Sequence, residues 1–153
     1  MTPTILYGSS CWTMTKELER RLRSCQRRML RPIIGARRRI TTGTNLEPWV
    51  DFIKRTTREA EERLDRLKIE DWVTAQRRRK WNFARRVATQ ERSRWSSKAA
   101  KWNPAITSSR TSRPQGRPKQ RWEDTLGGDW LQQAADEETW RRKSSEFFEQ
   151  FEQ

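Results

Sequence analysis

Whatever chemistry this chain can do is carried by four basic clusters: Arg37-Arg38-Arg39, Arg77-Arg78-Arg79-Lys80, Arg85-Arg86, and the spaced set Arg113, Arg117, Lys119 and Arg121. Trp81, Trp95, Trp102 and Trp122 alternate with the later ones. A guanidinium grips phosphate oxygens through a planar fork, and an indole offers its face to an unpaired base, each stack contributing about 1–3 kcal/mol. That combination points to RNA or DNA held without sequence specificity. The expected binding set is Arg77, Arg78, Arg79, Lys80, Trp81, Arg85, Arg86, Arg117, Lys119, Arg121 and Trp122. Within it Trp81 and Trp122 are the stacking residues, and most other tryptophans are expected in a helical core. Gly116-Arg117-Pro118 is half of a minor-groove hook, but Gln115 stands where a second arginine would complete it.

Other chemistries are excluded by residue type. The chain contains no histidine, which removes Ser-His-Asp, Cys-His and His-ligand metal sites. It has no adjacent Asp-Asp pair, and two-metal catalysis needs carboxylates converging on the ions. The acidic clusters Glu123-Asp124 and Asp136-Glu137-Glu138 read as solvated helix turns. There is no phosphate-cradling glycine loop and no nucleophile elbow. Cys11 and Cys25, too few for a disulfide framework, are expected as two buried thiols in a reducing compartment. A non-catalytic chain needing no cofactor and no metal is therefore expected. No apolar run approaches the ~18 residues of a membrane span, and no secretory leader pattern opens the chain. The expectation is an intracellular protein with no membrane partner.

Where the charge sits sharpens this. The 153 residues hold 34 Lys or Arg against 20 Asp or Glu, a net charge of +14, and arginine outnumbers lysine 26 to 8. Residues 1–121 carry +20 and residues 122–153 carry −6, a basic body with an acidic tail. Only 24 residues are Leu, Ile, Val or Phe, which leans toward disorder, while nine tryptophans can bury enough area to oppose it.

The elements that must position these groups are helical. Pro3 to Gly8 is a short apolar segment, a strand or the end of a helix begun upstream, and hints at a truncated reading frame. Leu18, Leu22, Cys25 and Met29 form one stripe of a helix from Thr15 to Arg31, capped by Thr15 and stopped by Pro32 and Gly35. Its opposite face carries Arg20, Arg21, Arg23, Arg27 and Arg28. A second helix starts near Pro48, with Trp49, Ile53, Ala60, Leu64 and Leu67 inward and Glu59–Arg63 and Glu62–Arg66 as supporting pairs. A third runs from about Asp71 to Thr89 on Trp72, Ala75, Trp81, Ala84, Val87 and Ala88, and a shorter one from Arg94 sets Trp95 and Trp102 on one face. Breakers fill 103–118, a Pro/Ser/Arg linker. One or two turns follow from Lys119 to Gly127-Gly128, then a helix capped by Asp129 with Trp130, Ala134, Trp140, Phe147 and Phe151 inward. No strand pair and no internal repeat is readable, so the fold class is all-α.

The order of motifs resembles one known family. Pro3 to Gly8, Trp12-Thr13, LERRLRSCQRRMLRPIIG (18–35), RRKWNFARRVA (78–88), RW (94–95), KWNP (101–104), GRPKQRW (116–122) and DWLQQAADEETWRR (129–142) look like the segment after the polymerase palm in LINE-type non-LTR retrotransposon endonuclease–reverse transcriptases. The likeness covers most of the chain and is weakest over 40–75. With the breakers and the charge split it divides the chain into a basic helical thumb-like region over 1–102, a flexible linker over 103–118 and a C-terminal helical segment with an acidic tail over 119–153. The resemblance itself implies a helical thumb followed by a basic C-terminal region. It also implies a nuclear protein that helps grip template RNA and target DNA, with the catalytic aspartates and endonuclease lying elsewhere in the parent. Where the family carries Trp-Ala-Gly-His, this chain has Phe83-Ala84-Arg85-Arg86, so any role of that histidine is lost. Two other readings stay open: a protein-interaction module whose acidic tail docks on the basic body, and a decayed element copy.

Overall fold

The computed structural model describes residues 2–41, 43, 45–91, 93–101 and 121–149. The protein is all-α, and among the described residues the only extended pairing is one antiparallel bridge, Ile40 to Leu46. Among the described residues the helices are α1 (Thr2–Ile5), α2 (Lys16–Ile33), α3 (Trp49–Arg66), α4 (Trp72–Thr89), α5 (Trp95–Lys101), α6 (Trp130–Ala135) and α7 (Glu137–Glu149). The chain divides into two compact units, Met1–Leu6 with Met14–Gln76, and Tyr7–Thr13 with Arg77–Gln153. Residues 77–101, assigned by sequence to the thumb-like region, thus group with the C-terminal segment. The proposed linker at 103–118 lies outside the described residues.

In the first unit α2 packs on α3, and α2 begins as expected. Thr15 sits in extended conformation and its Oγ1 accepts from the Leu18 N–H at 3.2 Å. Its end differs. Pro32 lies inside the last turn, and the stop comes at Gly35, whose φ of +68° no branched side chain adopts cheaply. The Ala36 N–H reaches Arg31 O and the Gly35 N–H reaches Pro32 O, the double closure of a Schellman end.

The buried line of α2 is rotated from the expected stripe by about one residue, or 100°. Gln26 is its innermost side chain, while Leu18 and Cys25 face outward. The physical reason is that α2 meets α3 and the start of α4 through polar contacts. The Trp72 N–H, an unpaired donor at a helix start, donates to Gln26 Oε1 at 3.0 Å. Arg27 pairs with Glu61, Arg23 with Asp71 at 3.5 Å, and Arg31 donates to Thr56 and Thr57. Arg23 and Arg27, expected on the opposite face, are therefore part of the contact. Cys25 and Cys11 are both exposed, correcting the expectation of buried thiols.

α3 starts one residue after Pro48 and buries Phe52, Thr56 and Ala60, spaced by four, leaving Trp49 61% exposed and Leu67 outward. The Thr56 hydroxyl donates to Phe52 O at 2.8 Å, so its burial leaves no orphan group. Glu59 and Glu62 pair with Arg55 and Arg58, four residues before them, rather than with Arg63 and Arg66. The reversal follows from Glu47, which holds Arg55 in place. Arg55 donates to both Glu47 carboxylate oxygens, at 2.9 and 2.7 Å, and to Arg37 O at 3.0 Å. The Arg39 N–H also reaches Glu47, and the Arg38 guanidinium donates to Glu47 O.

One carboxylate thereby fixes the loop between α2 and α3. The bond from Arg55 outweighs the cost of partial desolvation and holds the Glu47 carboxyl down to about 2. A depressed carboxyl contributes stability that is full above its ordinary value of 4.5 and fades as pH falls toward 2. Glu47→Gln is expected to weaken the first unit at neutral pH and to flatten its acid response between those limits. Circular dichroism followed during acid titration of both proteins checks this.

The second unit is built on tryptophan. Trp81, Ala84, Val87, Leu126, Trp130, Ala134, Trp140 and Phe147 form its core. Trp81 stacks on Trp140 with centroids 3.6 Å apart and planes 10° from parallel, and Phe147 closes on Trp81 at 4.5 Å. Trp122 opens a short 3-10 turn (Trp122–Thr125) and meets Trp130 and Phe83 edge-on, while its Nε1–H donates to Ser10 O at 2.7 Å. The single C-terminal helix expected from Asp129 is two helices. Asp136, at φ −91° and ψ 119°, breaks the run, and its carboxylate caps α7 through the Glu138 and Thr139 N–H groups. The inward residues are as expected, except that Phe151 lies outside the described residues.

Candidate nucleic-acid interface

α4 holds six arginines and lysines and no acidic residue over 72–89. A helix turns 100° per residue, so consecutive basic residues cannot all face one way. Arg77 and Lys80 turn inward and are buried, whereas Arg78, Arg79 and Arg86 are exposed, with Asn82 on the same outward side. From Arg78 to Arg86 is about 12 Å along the axis at 1.5 Å per residue. Arg85 is half-buried and committed to Glu137 of α7 at 2.7 Å, a bond that lowers the Glu137 carboxyl and raises the guanidinium. The Phe83-Ala84-Arg85-Arg86 stretch is therefore continuous helix that divides its two arginines between a partner carboxylate and solvent.

Lys80 is the clearest correction to the expected binding set. It is 3% exposed; its Nζ donates to Thr125 Oγ1 at 2.5 Å and lies 5.2 Å from the Trp122 ring centroid. Burial pushes the ammonium down to about 8, with the Asp124 charge partly offsetting it. The charged form thus costs stability at neutral pH. As pH rises through 8 toward 10.5, the folded protein releases this proton before the unfolded chain does, so stability rises across that window. Lys80→Met, similar in length and uncharged, is expected to stabilise the protein at pH 7 by roughly 1–3 kcal/mol. Denaturant titrations at pH 7 and above 10 check it: the gap should close at the higher pH.

Trp81 and Trp122, expected to stack on bases, are structural instead. Trp81 is buried with a face against Trp140, and Trp122 is half-buried with its indole N–H occupied. Arg121 is exposed, pairs with Glu123 at 2.8 Å, and its N–H donates to Asp124 at 2.6 Å, closing the start of the 3-10 turn. Arg117 and Lys119 lie outside the described residues, as do Arg113 and Trp102. Arg37-Arg38-Arg39 are exposed, but Arg38 serves Glu47 and Arg39 pairs with Glu59 at 3.6 Å, so that cluster is bound up in the loop.

The structure thus brings together Arg78, Arg79 and Arg86 from the expected set. Trp95, noted beside the basic clusters in the sequence but left out of the expected binding set, is 82% exposed at the start of α5. The signal for it was present: its helix neighbours Ser96, Ser97, Ala99 and Ala100 are too small to enclose an indole. No group of three or more acidic or cysteine side chains is placed to hold a metal among the described residues, and no helix there is long and apolar enough to cross a membrane. No protein-family model, curated protein or solved structure matches the chain.

Proposed function

We propose that this chain is a non-catalytic module that binds RNA or DNA through the phosphate backbone, without sequence specificity, as the C-terminal part of a LINE-type reverse transcriptase would. The observation that carries the reading is the acid-free α4, with Arg78, Arg79 and Arg86 exposed along one side. A helix with this composition projects a positive field that attracts a polyanion and releases its condensed counterions on binding. The family attribution rests on the order of sequence motifs alone. Under it, the module works in the nucleus and the polymerase chemistry belongs to residues outside this chain.

The test is affinity for duplex DNA across a salt series. With about 5 phosphates neutralised, log K falls against log[salt] with a slope near −4.5. A flat response overturns the proposal. A second reading, a protein-interaction module with its acidic tail docked on its basic part, draws on the Arg85–Glu137 bond and the Trp81–Trp140 stack, which hold α7 against α4. A well-folded chain with no affinity for either nucleic acid at low salt selects that reading.

A further inference from the structure

α5 inverts the usual preference of a short helix in a core. It buries Ser97 and leaves Trp95, its largest side chain, in solvent. Lys98, nearly one turn on, holds its Nζ 5.1 Å from the Trp95 ring centroid, so one face of the indole lies beside a cation. Ser93, Arg94 and Lys98 are exposed around it. Between Glu91 and Glu123 the sequence contains no acidic residue at all. An exposed indole flanked by cations, with Glu91 four residues before it and no further acidic residue until Glu123, fits a flat, negatively tethered ligand.

We propose that Trp95 is a stacking platform for an unpaired base, with Arg94 and Lys98 on the flanking phosphates, so that the chain prefers single-stranded RNA or DNA over duplex. This rests on the nucleic-acid reading above and adds to it a residue and a strand preference. In a duplex each base already has neighbours on both faces, so the indole gains nothing there. In a single strand every base has a π-face to offer, and the site tolerates any sequence. The cation beside the ring strengthens the arrangement, because a stacked base and a phosphate arrive together on the same backbone.

The experiment uses the full chain, Trp95→Ala and Trp95→Phe, with fluorescently labelled oligothymidine, an abasic strand of equal length, and a duplex, read by anisotropy. Because Trp95 contributes nothing to the buried core, helical content should match in all three proteins. Trp95→Ala is expected to weaken oligothymidine binding by roughly 5- to 150-fold, the range for one base–aromatic stack, while Trp95→Phe retains most of it. Affinity for the abasic strand and the duplex should not change. Equal loss on every ligand, or no loss on any, overturns the stacking site and leaves the phosphate reading standing. Failure of the unsubstituted chain to bind any of the three overturns both.

Discussion

Trp140→Ala is expected to destabilise the second unit by about 3–5 kcal/mol, the range for truncating a large buried aromatic. Two effects add. The indole is 3% exposed, so its transfer term is nearly complete. Its removal also strips the stacked face of Trp81 and opens a void between α4 and α7, where the neighbouring Phe147 can relax only in part. Against a typical domain stability of about 5–15 kcal/mol, that is enough to unfold a substantial fraction of molecules near body temperature. Trp81→Ala should behave alike, and the double variant should lose less than the sum, because each single change already breaks the shared stack. Guanidinium titration followed by circular dichroism decides it. A loss below about 1 kcal/mol for either single variant would show that the stack is not the centre of the core.

The second large effect is on binding. Arg78→Gln, Arg79→Gln and Arg86→Gln combined should flatten the salt slope by about 2.7, from near −4.5 to near −1.8, since each guanidinium releases about 0.9 counterion. The same relation, carried to 0.1 M salt, gives an affinity loss of about 500-fold. These side chains are exposed, so the variant should keep its helical content. Lys80→Met supplies the internal control: it also removes a positive charge from α4, but a buried one, and should leave the slope unchanged. If the triple variant keeps the full slope, the phosphates are held elsewhere, and the basic residues between 103 and 120 become the place to look.

Much of the helical pattern was legible, for identifiable reasons. α2 announces itself by its threonine cap, and α4 by the spacing of Trp81, Ala84 and Val87. The facing of α2 was not, because periodicity counts apolar residues and this helix is packed through Gln26, Arg23 and Arg27. A long polar side chain buries its stem as well as leucine does once its end is satisfied. The break at Asp136 was missed for a related reason: an aspartate in a helical run competes with the backbone as a cap, and composition alone does not say which role it takes. In the candidate interface, the tetrad Arg77-Arg78-Arg79-Lys80 was seen as one object. Helical rotation makes it two, a buried pair and an exposed pair.

The hydrogen bond from Trp122 to Ser10 spans 112 positions, whereas the bonds that link α2 to α3 and to the start of α4 span 48 or fewer. On a ribosome the chain emerges one end first, and contacts close only when both partners are out. The first unit can therefore gather its polar contacts once the residues up to about Thr74 have emerged, while Tyr7–Thr13 must wait for Trp122. During that interval Trp81 is without Trp140, and α4 carries a bare apolar line beside its arginines. The second unit is thus the later to form and the more exposed to aggregation while it waits, and in that window the mutual repulsion of its arginines keeps unfinished chains apart.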